Sequence, residues 1–252
     1  MALTVGTVGC ATTSQKVIET EKIVLKDAKG QIRLQIGIDD SGGVVQTFLD
    51  ANGTERLKLM VDAEGVTRQR FFDEKGALRM GSYVYPADHQ KVPGFAGMDI
   101  MNKEGTALLK LYIDTASVAR QSFLDDRRTT RMVSYVYPAD HPEKAGQAGT
   151  EWMNGNTASW IRVRTVKDGG AYHEFIDKNG KERISLNVYN GGISNQIFSD
   201  VTGTTRAITY TNQDGYAGFD LLDSQQKSRF QTMSLPTGKV AQSFMDGDGS
   251  VK

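Results

Sequence analysis

The chain has 252 residues, of which 30 are Lys or Arg and 30 are Asp or Glu, so its formal net charge is zero. Balanced charge with no basic stripe removes the long-range field on which nucleic-acid binding relies, and no apolar run approaches the roughly 20 residues of a membrane-spanning helix. A single cysteine excludes an intramolecular disulfide and any paired-cysteine metal or redox motif.

Residues 1–19 read as a separate N-terminal segment. The stretch "MALTVGTVGCA" is small and apolar and is followed by polar "ATTSQK", which has the look of the tail of a bacterial lipoprotein signal, with Cys10 as the candidate lipidated residue. Nothing basic precedes the apolar stretch, and the segment before Cys10 is shorter than the roughly 15–30 residues of a signal peptide. A signal remnant and a frayed terminus with an incidental thiol therefore stand side by side. A lipid on Cys10 would be the only attachment to a membrane that the sequence suggests.

From residue 20 to 252 the chain reads as one repeat domain. The segments "VLKDAKGQIRL", "TFLDANGTERL", "RFFDEKGALRM", "SFLDDRRTTRM", "EFIDKNGKERI", "IFSDVTGTTRA" and "DLLDSQQKSRF" share an apolar residue, an Asp two positions on, and an Arg six residues after the Asp. Asn102 and Asn154 take the Asp position in two further copies, where Leu108 and Trp160 replace the Arg, and Asp246 opens a tenth. The anchors are spaced 23, 23, 29, 23, 29, 23, 23, 23 and 23 residues apart.

Each copy reads as a β-hairpin. Asp-x-x-Gly suits a tight turn, because Asp caps its own backbone and Gly accepts a positive φ. In the second copy, simple alternation from Asp50 opposite Thr54 puts Val45, Thr47, Leu49, Leu57, Leu59 and Val61 on one face, and Gln46, Phe48, Asp50, Arg56 and Lys58 on the other. Asp50 and Arg56 would then pair diagonally, with the guanidinium over Phe48. "DDSGG", "DAEGV", "KDGGA", "YNGGI", "NQDGY" and "LPTGK" close the opposite ends.

The expected fold is all-β: ten antiparallel hairpins, or twenty short strands, in an elongated, solenoid-like meander. An open twisted sheet rarely exceeds about ten strands without curling or splitting, so a five-bladed β-propeller, a sandwich or a barrel are the alternatives. Inner and outer hairpins of a propeller blade differ, which would give a 46-residue period; the anchors recur every 23 and favour equivalent hairpins. Repeats of this "LxDxxGxxR" type resemble those of uncharacterised bacterial secreted or envelope proteins and, more loosely, YD-repeat proteins, although the YD signature is absent. The resemblance covers about residues 20 to 250. It implies an extracytoplasmic setting, in the cell envelope or secreted, and names no activity.

The third and fifth copies carry six extra residues each, near 86–96 and 138–148, in "YVYPADHQKVPGFA" and "YVYPADHPEKAGQA". Long loops on a rigid scaffold are where binding residues concentrate. Tyr83, Tyr85, Asp88, His89, Tyr135, Tyr137, Asp140, His141 and Trp152 are the candidate contacts for a glycan or a surface-protein partner. The structural reading of the same residues is a strand ended by Pro86 and a longer turn copied by tandem duplication. No metal site is expected: one Asp-His pair supplies two ligands, and loops four strands apart lie about 19 Å from each other. "DKNG" and "DGDG" resemble the first half of a calcium loop without the second. Nucleophile-elbow, phosphate-loop and dinucleotide motifs are missing, so the sequence points to no enzyme and no cofactor. It points instead to a structural, self-assembling or adhesive repeat protein, a homo-oligomer or fibre, with a glycan-binding lectin as the alternative.

Overall fold

The computed structural model describes residues 20–155 and 159–246. Among them the chain forms nineteen β-strands and no helix. The first six are β1 Lys22–Lys26, β2 Ile32–Ile38, β3 Val44–Leu49, β4 Glu55–Val61, β5 Thr67–Phe72 and β6 Leu78–Val84. The next six are β7 Ala96–Met101, β8 Ala107–Ile113, β9 Ala119–Leu124, β10 Thr130–Val136, β11 Ala148–Met153 and β12 Ser159–Thr165. The last seven are β13 Ala171–Ile176, β14 Glu182–Val188, β15 Ser194–Ser199, β16 Thr205–Thr211, β17 Ala217–Leu222, β18 Ser228–Ser234 and β19 Val240–Phe244. The second strand expected of the tenth hairpin, and Cys10, lie outside the described residues.

Every strand pairs antiparallel with its neighbours in sequence, from β1 with β2 to β18 with β19, and with no other described strand. The sheet is therefore one open meander. Among the described strands the ladder runs unbroken from β1 to β19, which excludes the separate four-stranded blades of a five-bladed propeller, and no pairing returns the end of the sheet to its beginning, which excludes a closed barrel. With strands about 4.8 Å apart, nineteen of them extend over about 86 Å.

The turns follow from their sequence. At the second Asp turn the Asp50 amide donates to the Thr54 carbonyl at 2.9 Å and the Gly53 amide to the Asp50 carbonyl at 3.2 Å, with Gly53 at φ +82°. This is a three-residue loop closed by a residue in the left-handed region. The opposite ends use the same geometry, as in Asp39 to Gly43 at 2.8 Å.

One feature of the ladder corrects the alternation expected from sequence. Phe48 pairs with Leu57 and Leu49 with Glu55, leaving Arg56 as an extra residue in a β-bulge. The same slip recurs at Arg33, Arg79, Leu108, Arg131, Trp160, Arg183, Arg206 and Arg229. A one-residue insertion reverses the facing of everything after it. Val44, Gln46 and Phe48 therefore share a face with Leu57, Leu59 and Val61, while Val45 and Thr47 share the other with Lys58 and Met60. Arg56 lies opposite no residue and does not cover Phe48; it is aimed along the Asp edge.

The Asp–Arg pairs expected from the motif all form. Arg33, Arg56, Arg79, Arg131, Arg183 and Arg206 stand 2.6 to 4.0 Å from the Asp of their own turn, and Arg229 bonds Asp223. Most of these arginines also reach the next repeat. Arg33 Nε donates to the Leu49 carbonyl at 3.1 Å, Arg56 Nε to Phe72 at 3.2 Å, and Arg131 Nη1 to Asn154 at 2.7 Å. Arg183 likewise bonds the Asp200 carbonyl and Arg229 that of Asp246. The bulge thus turns the repeated Arg into a clamp between consecutive hairpins.

The two faces differ. One has a ridge of large apolar side chains near the Asp edge that includes Phe48, Leu57, Phe71, Met80, Ile100, Leu109, Phe123, Met132, Trp152 and Ile161 in cross-strand register, and beside it a row that mixes apolar residues with uncharged polar ones such as Gln121, Ser134 and Gln196. Beside the ridge a shallow trough of about 1480 Å³ crosses β7 to β17 over small residues such as Ala96, Ala119, Ala148 and Ala171. The other face carries charged pairs and tyrosines. Only Val66, Val118 and Tyr137 are buried apolar residues among those described, so what core there is sits at the two long loops.

Candidate functional site

The long loops, residues 85–95 and 137–147, share one frame. The Tyr85 amide donates to the Phe95 carbonyl and the Tyr137 amide to Gln147, both at 2.8 Å. The Pro86 carbonyl accepts from His89 at 3.1 Å and Gly94 at 2.9 Å; Pro138 accepts from His141 at 3.1 Å and Gly146 at 3.0 Å. Each histidine Nδ1 accepts two backbone amides, Lys91 and Val92 in the first loop and Glu143 and Lys144 in the second, at 3.1 to 3.3 Å. Accepting at Nδ1 requires that nitrogen to be unprotonated, which places the proton on Nε2. In the first loop His89 Nε2 then donates to Glu64 at 3.2 Å.

The second tyrosine of each motif completes the frame. His89 packs edge-on to Tyr85 at 4.9 Å and His141 to Tyr137 at 4.8 Å. Arg68 bonds Asp62 and Arg120 bonds Asp114, the latter at 3.2 Å, and Arg120 also lies 5.7 Å over the Tyr137 ring.

Tyr83 and Tyr135 emerge on the polar face, each across a glycine of the next strand. A Cβ on Gly97 would fall 2.8 Å from the Tyr83 hydroxyl, and one on Gly149 would fall 2.8 Å from that of Tyr135. Glycine therefore makes room for the ring, and the ring covers backbone that glycine leaves bare. Burial, assisted by Asp99 beside Tyr83 and Glu151 beside Tyr135, pushes both hydroxyls up to about 12. They stay protonated, and Tyr135 donates to Glu151 at 3.4 Å.

Asp88 and Asp140 are exposed at the loop tips. Trp152 is on the other side of the sheet, in the apolar ridge between Met132 and Ile161. The structure thus brings Tyr83, Tyr85 and His89 together, and separately Tyr135, Tyr137 and His141. It does not add Trp152 to either group, and it leaves the two loops four strands apart.

What the frames enclose differs. In the first loop Phe95 stacks on Tyr83 at 5.7 Å with 6° between the rings and lies 6.1 Å from Tyr85 and 5.6 Å from Tyr112, filling the space. Fifty-two residues later, Val92, Phe95, Lys110 and Tyr112 are replaced by Lys144, Gln147, Arg162 and Arg164. There a cleft of about 350 Å³ opens between the loop and β9 to β12.

Its electrostatics are largely, not wholly, balanced. Glu174 is 5% exposed and binds Arg162 at 3.1 Å and Arg164 at 2.8 Å; Arg162 also stands 3.5 Å from Glu151. Lys144 Nζ bonds the Tyr137 hydroxyl at 3.2 Å and sits 5.0 Å from its ring centre. Lys144 forms no ion pair among the described residues. The Nε–H of Arg164 is buried without a partner among the described residues. The site has the means to hold an anion beside hydrogen-bonding groups. Sequence reading picked out the shared tyrosines and histidines and missed Lys144, Gln147, Arg162 and Arg164. A position-by-position comparison of the two loops would have found them.

No protein-family model matches the chain, and no curated protein matches it. Among solved structures, the TCP10 domain of Danio rerio CPAP, in complex with a peptide of Danio rerio STIL, is similar with a TM-score of 0.44 and 14% identity over 92% of this chain and 97% of that one. The TCP domain of Drosophila melanogaster SAS-4 (dCPAP), in complex with a proline-rich motif of Ana2 (dSTIL), has a TM-score of 0.38 and 13% identity over 74% and 88% of the two chains. A chain of the TcdB2-TccC3-Cdc42 structure has a TM-score of 0.22 and 16% identity over 93% of this chain and 12% of that one. Likenesses this distant carry no activity across to the present chain.

Proposed function

We propose that the chain is a non-enzymatic β-hairpin scaffold that assembles with a second copy of itself through its apolar face, in the extracytoplasmic setting that its repeats suggest. One observation carries this reading: the large apolar side chains that remain exposed are gathered on one side of an open sheet. Of those among the described residues, only Val24, Trp160 and Val201 lie off that face, whereas Val44, Val61, Ile113, Phe123, Val136, Trp152, Leu186, Phe198, Leu221 and Phe244 lie on it. Water contact over such an area is costly.

A second copy is the occupant that fits. The face measures about 86 Å by 20 Å, or roughly 1,700 Å², about twice the 800 Å² per partner of a standard interface. Its ridge runs along the Asp edge and its trough along the opposite one. A two-fold axis parallel to the meander brings the faces together and exchanges the edges, laying the ridge of each copy into the trough of the other.

Light scattering at increasing concentration tests the reading, with a dimer or a larger defined assembly expected. Trp152→Glu and Phe198→Glu, at 40% and 37% exposed positions, should each shift the protein to monomer with an unchanged far-ultraviolet spectrum. A stable monomer at high concentration, or assembly indifferent to both substitutions, overturns it.

A further inference from the structure

The two long loops are an internal control for one another. Residues present in both, including Asp62 and Asp114, Arg68 and Arg120, Tyr85 and Tyr137, His89 and His141, and Gly97 and Gly149, build the same frame twice and need no ligand to explain them. What differs is the content: a phenylalanine fills the first frame, and a polar, cationic cleft occupies the second. The cleft opens on the polar face of the sheet, away from the apolar ridge, so it is independent of assembly.

Four cations meet at this cleft, Arg120, Lys144, Arg162 and Arg164. Asp114, Glu151 and Glu174 answer three of those charges. The balance is one positive charge, which suits a single carboxylate better than a dianionic phosphate. The donor left over is the Lys144 ammonium, which among the described residues contacts a tyrosine hydroxyl and ring and forms no ion pair; beside it the Arg164 guanidinium, 32% exposed, lines the cleft. Beside them the Gln147 amide and the Glu151 carboxylate offer donors and acceptors of the kind that neutral hydroxyl groups satisfy, and the Tyr135 ring forms part of the wall. The volume, about 350 Å³, lies at the small end of the roughly 300–1,000 Å³ of ligand sites.

We propose that this cleft binds one carboxylate-bearing sugar unit, a uronic-acid residue of an acidic polysaccharide, with Lys144 and Arg164 taking the carboxylate and Gln147 and Glu151 the ring hydroxyls. No covalent step is involved. The first loop binds nothing comparable, because Phe95 occupies the equivalent space and Val92 stands where Lys144 would be.

The experiment is titration calorimetry of the whole chain with methyl glucuronide, methyl glucoside and inorganic phosphate. Saturable one-to-one binding of the glucuronide is expected, at least tenfold tighter than that of the neutral glucoside and of phosphate. Lys144→Val and Gln147→Phe each install the residue that the first loop already accommodates in the same frame, so the fold should persist, checked by an unchanged thermal midpoint. Lys144→Val should weaken the glucuronide about tenfold and erase its advantage over the glucoside, and Gln147→Phe should abolish binding. Absence of glucuronide binding, equal binding of the glucoside, tighter binding of phosphate, or affinity unmoved by both substitutions overturns the proposal.

Discussion

A turn Asp with an Arg six residues on does two things with two oxygens, both at the repeated anchor, as in Asp125, and at Asp114 on the opposite edge. At Asp114, Oδ1 accepts the Ala116 and Val118 amides at 2.9 and 3.0 Å, while Oδ2 meets Arg120 Nε at 3.2 Å. In the two copies where Leu108 and Trp160 stand in place of the Arg, the anchor becomes Asn, and Asn102 Oδ1 still takes the Glu104 and Thr106 amides at 3.0 and 2.9 Å. An amide therefore suffices for the cap, and the charge is needed only for the clamp. Asp114→Asn is expected to cost about 0.5 kcal/mol, the worth of a partly exposed ion pair. Asp114→Ala should cost about 1–2 kcal/mol, because two turn amides lose their acceptor as well; chemical denaturation of both variants measures the difference. Asp99 behaves in the opposite way to the turn carboxylates. Burial raises its carboxyl, with Lys110 pulling down only partly, and Oδ1 has no hydrogen-bond partner among the described residues. A folded value above the unfolded one means that the native state binds the proton more tightly, so stability is greatest below the ordinary carboxylate range and is lost as pH rises through the raised value. Asp99→Asn should raise the unfolding midpoint at pH 7 and lose that advantage near pH 4; an equal effect at both values would show that charge is not the cause.

At the scale of the hairpin, the sequence declares its period far more clearly than its facing. An Asp or Asn anchor marks the turns of one edge even where Arg128 and Gln226 take the left-handed position that Gly fills elsewhere, and the 23-residue spacing locates both strands of each copy. The bulge at the Arg position is a backbone event with no residue signature of its own: Arg, Leu108 and Trp160 all occupy it. Strict alternation therefore placed Leu57 with Val45 when it belongs with Phe48. The extra residue has a use, since it turns the Arg out of the ladder and toward the carbonyl of the next repeat. The loops were legible in the same uneven way. Their position and the Tyr-His frame follow from the duplicated "YVYPADH", yet the residues that set the two apart lie outside the duplicated heptapeptide. Arg162 and Arg164 come from β12, two strands from the loop's first residue; Glu151 of β11 links Arg162 back to Tyr135, and Glu174 of β13 holds both arginines from the far side. No local pattern announces a pairing made across three strands.

For the whole molecule, contacts join only consecutive strands, so stability should be nearly a sum of hairpins and the interfaces between them. That has a consequence for length. Removing Asp200–Leu222, one full 23-residue unit, joins Ser199 to Asp223 and lets β15 pair with β18. The following Asp turns stay on the same edge, the following strands keep their apolar face, and Arg183 meets Asp223 where it met Asp200. This variant should fold, with a denaturant dependence of unfolding lower by about a tenth, in line with two of nineteen strands lost. Removing Asp200–Thr211 instead, one turn and one strand, reverses the direction of every later strand and moves the later Asp turns to the opposite edge. The Asn212 turn that then follows β15 has Gly218 in place of an Arg six residues on, so the clamp is not continued there, and the apolar face is interrupted. That shorter deletion should unfold or aggregate although it removes fewer residues, and circular dichroism with light scattering distinguishes the two results. Equal tolerance of both deletions would mean that the hairpin pair, with its bulge and clamp, is not the unit from which this sheet is built.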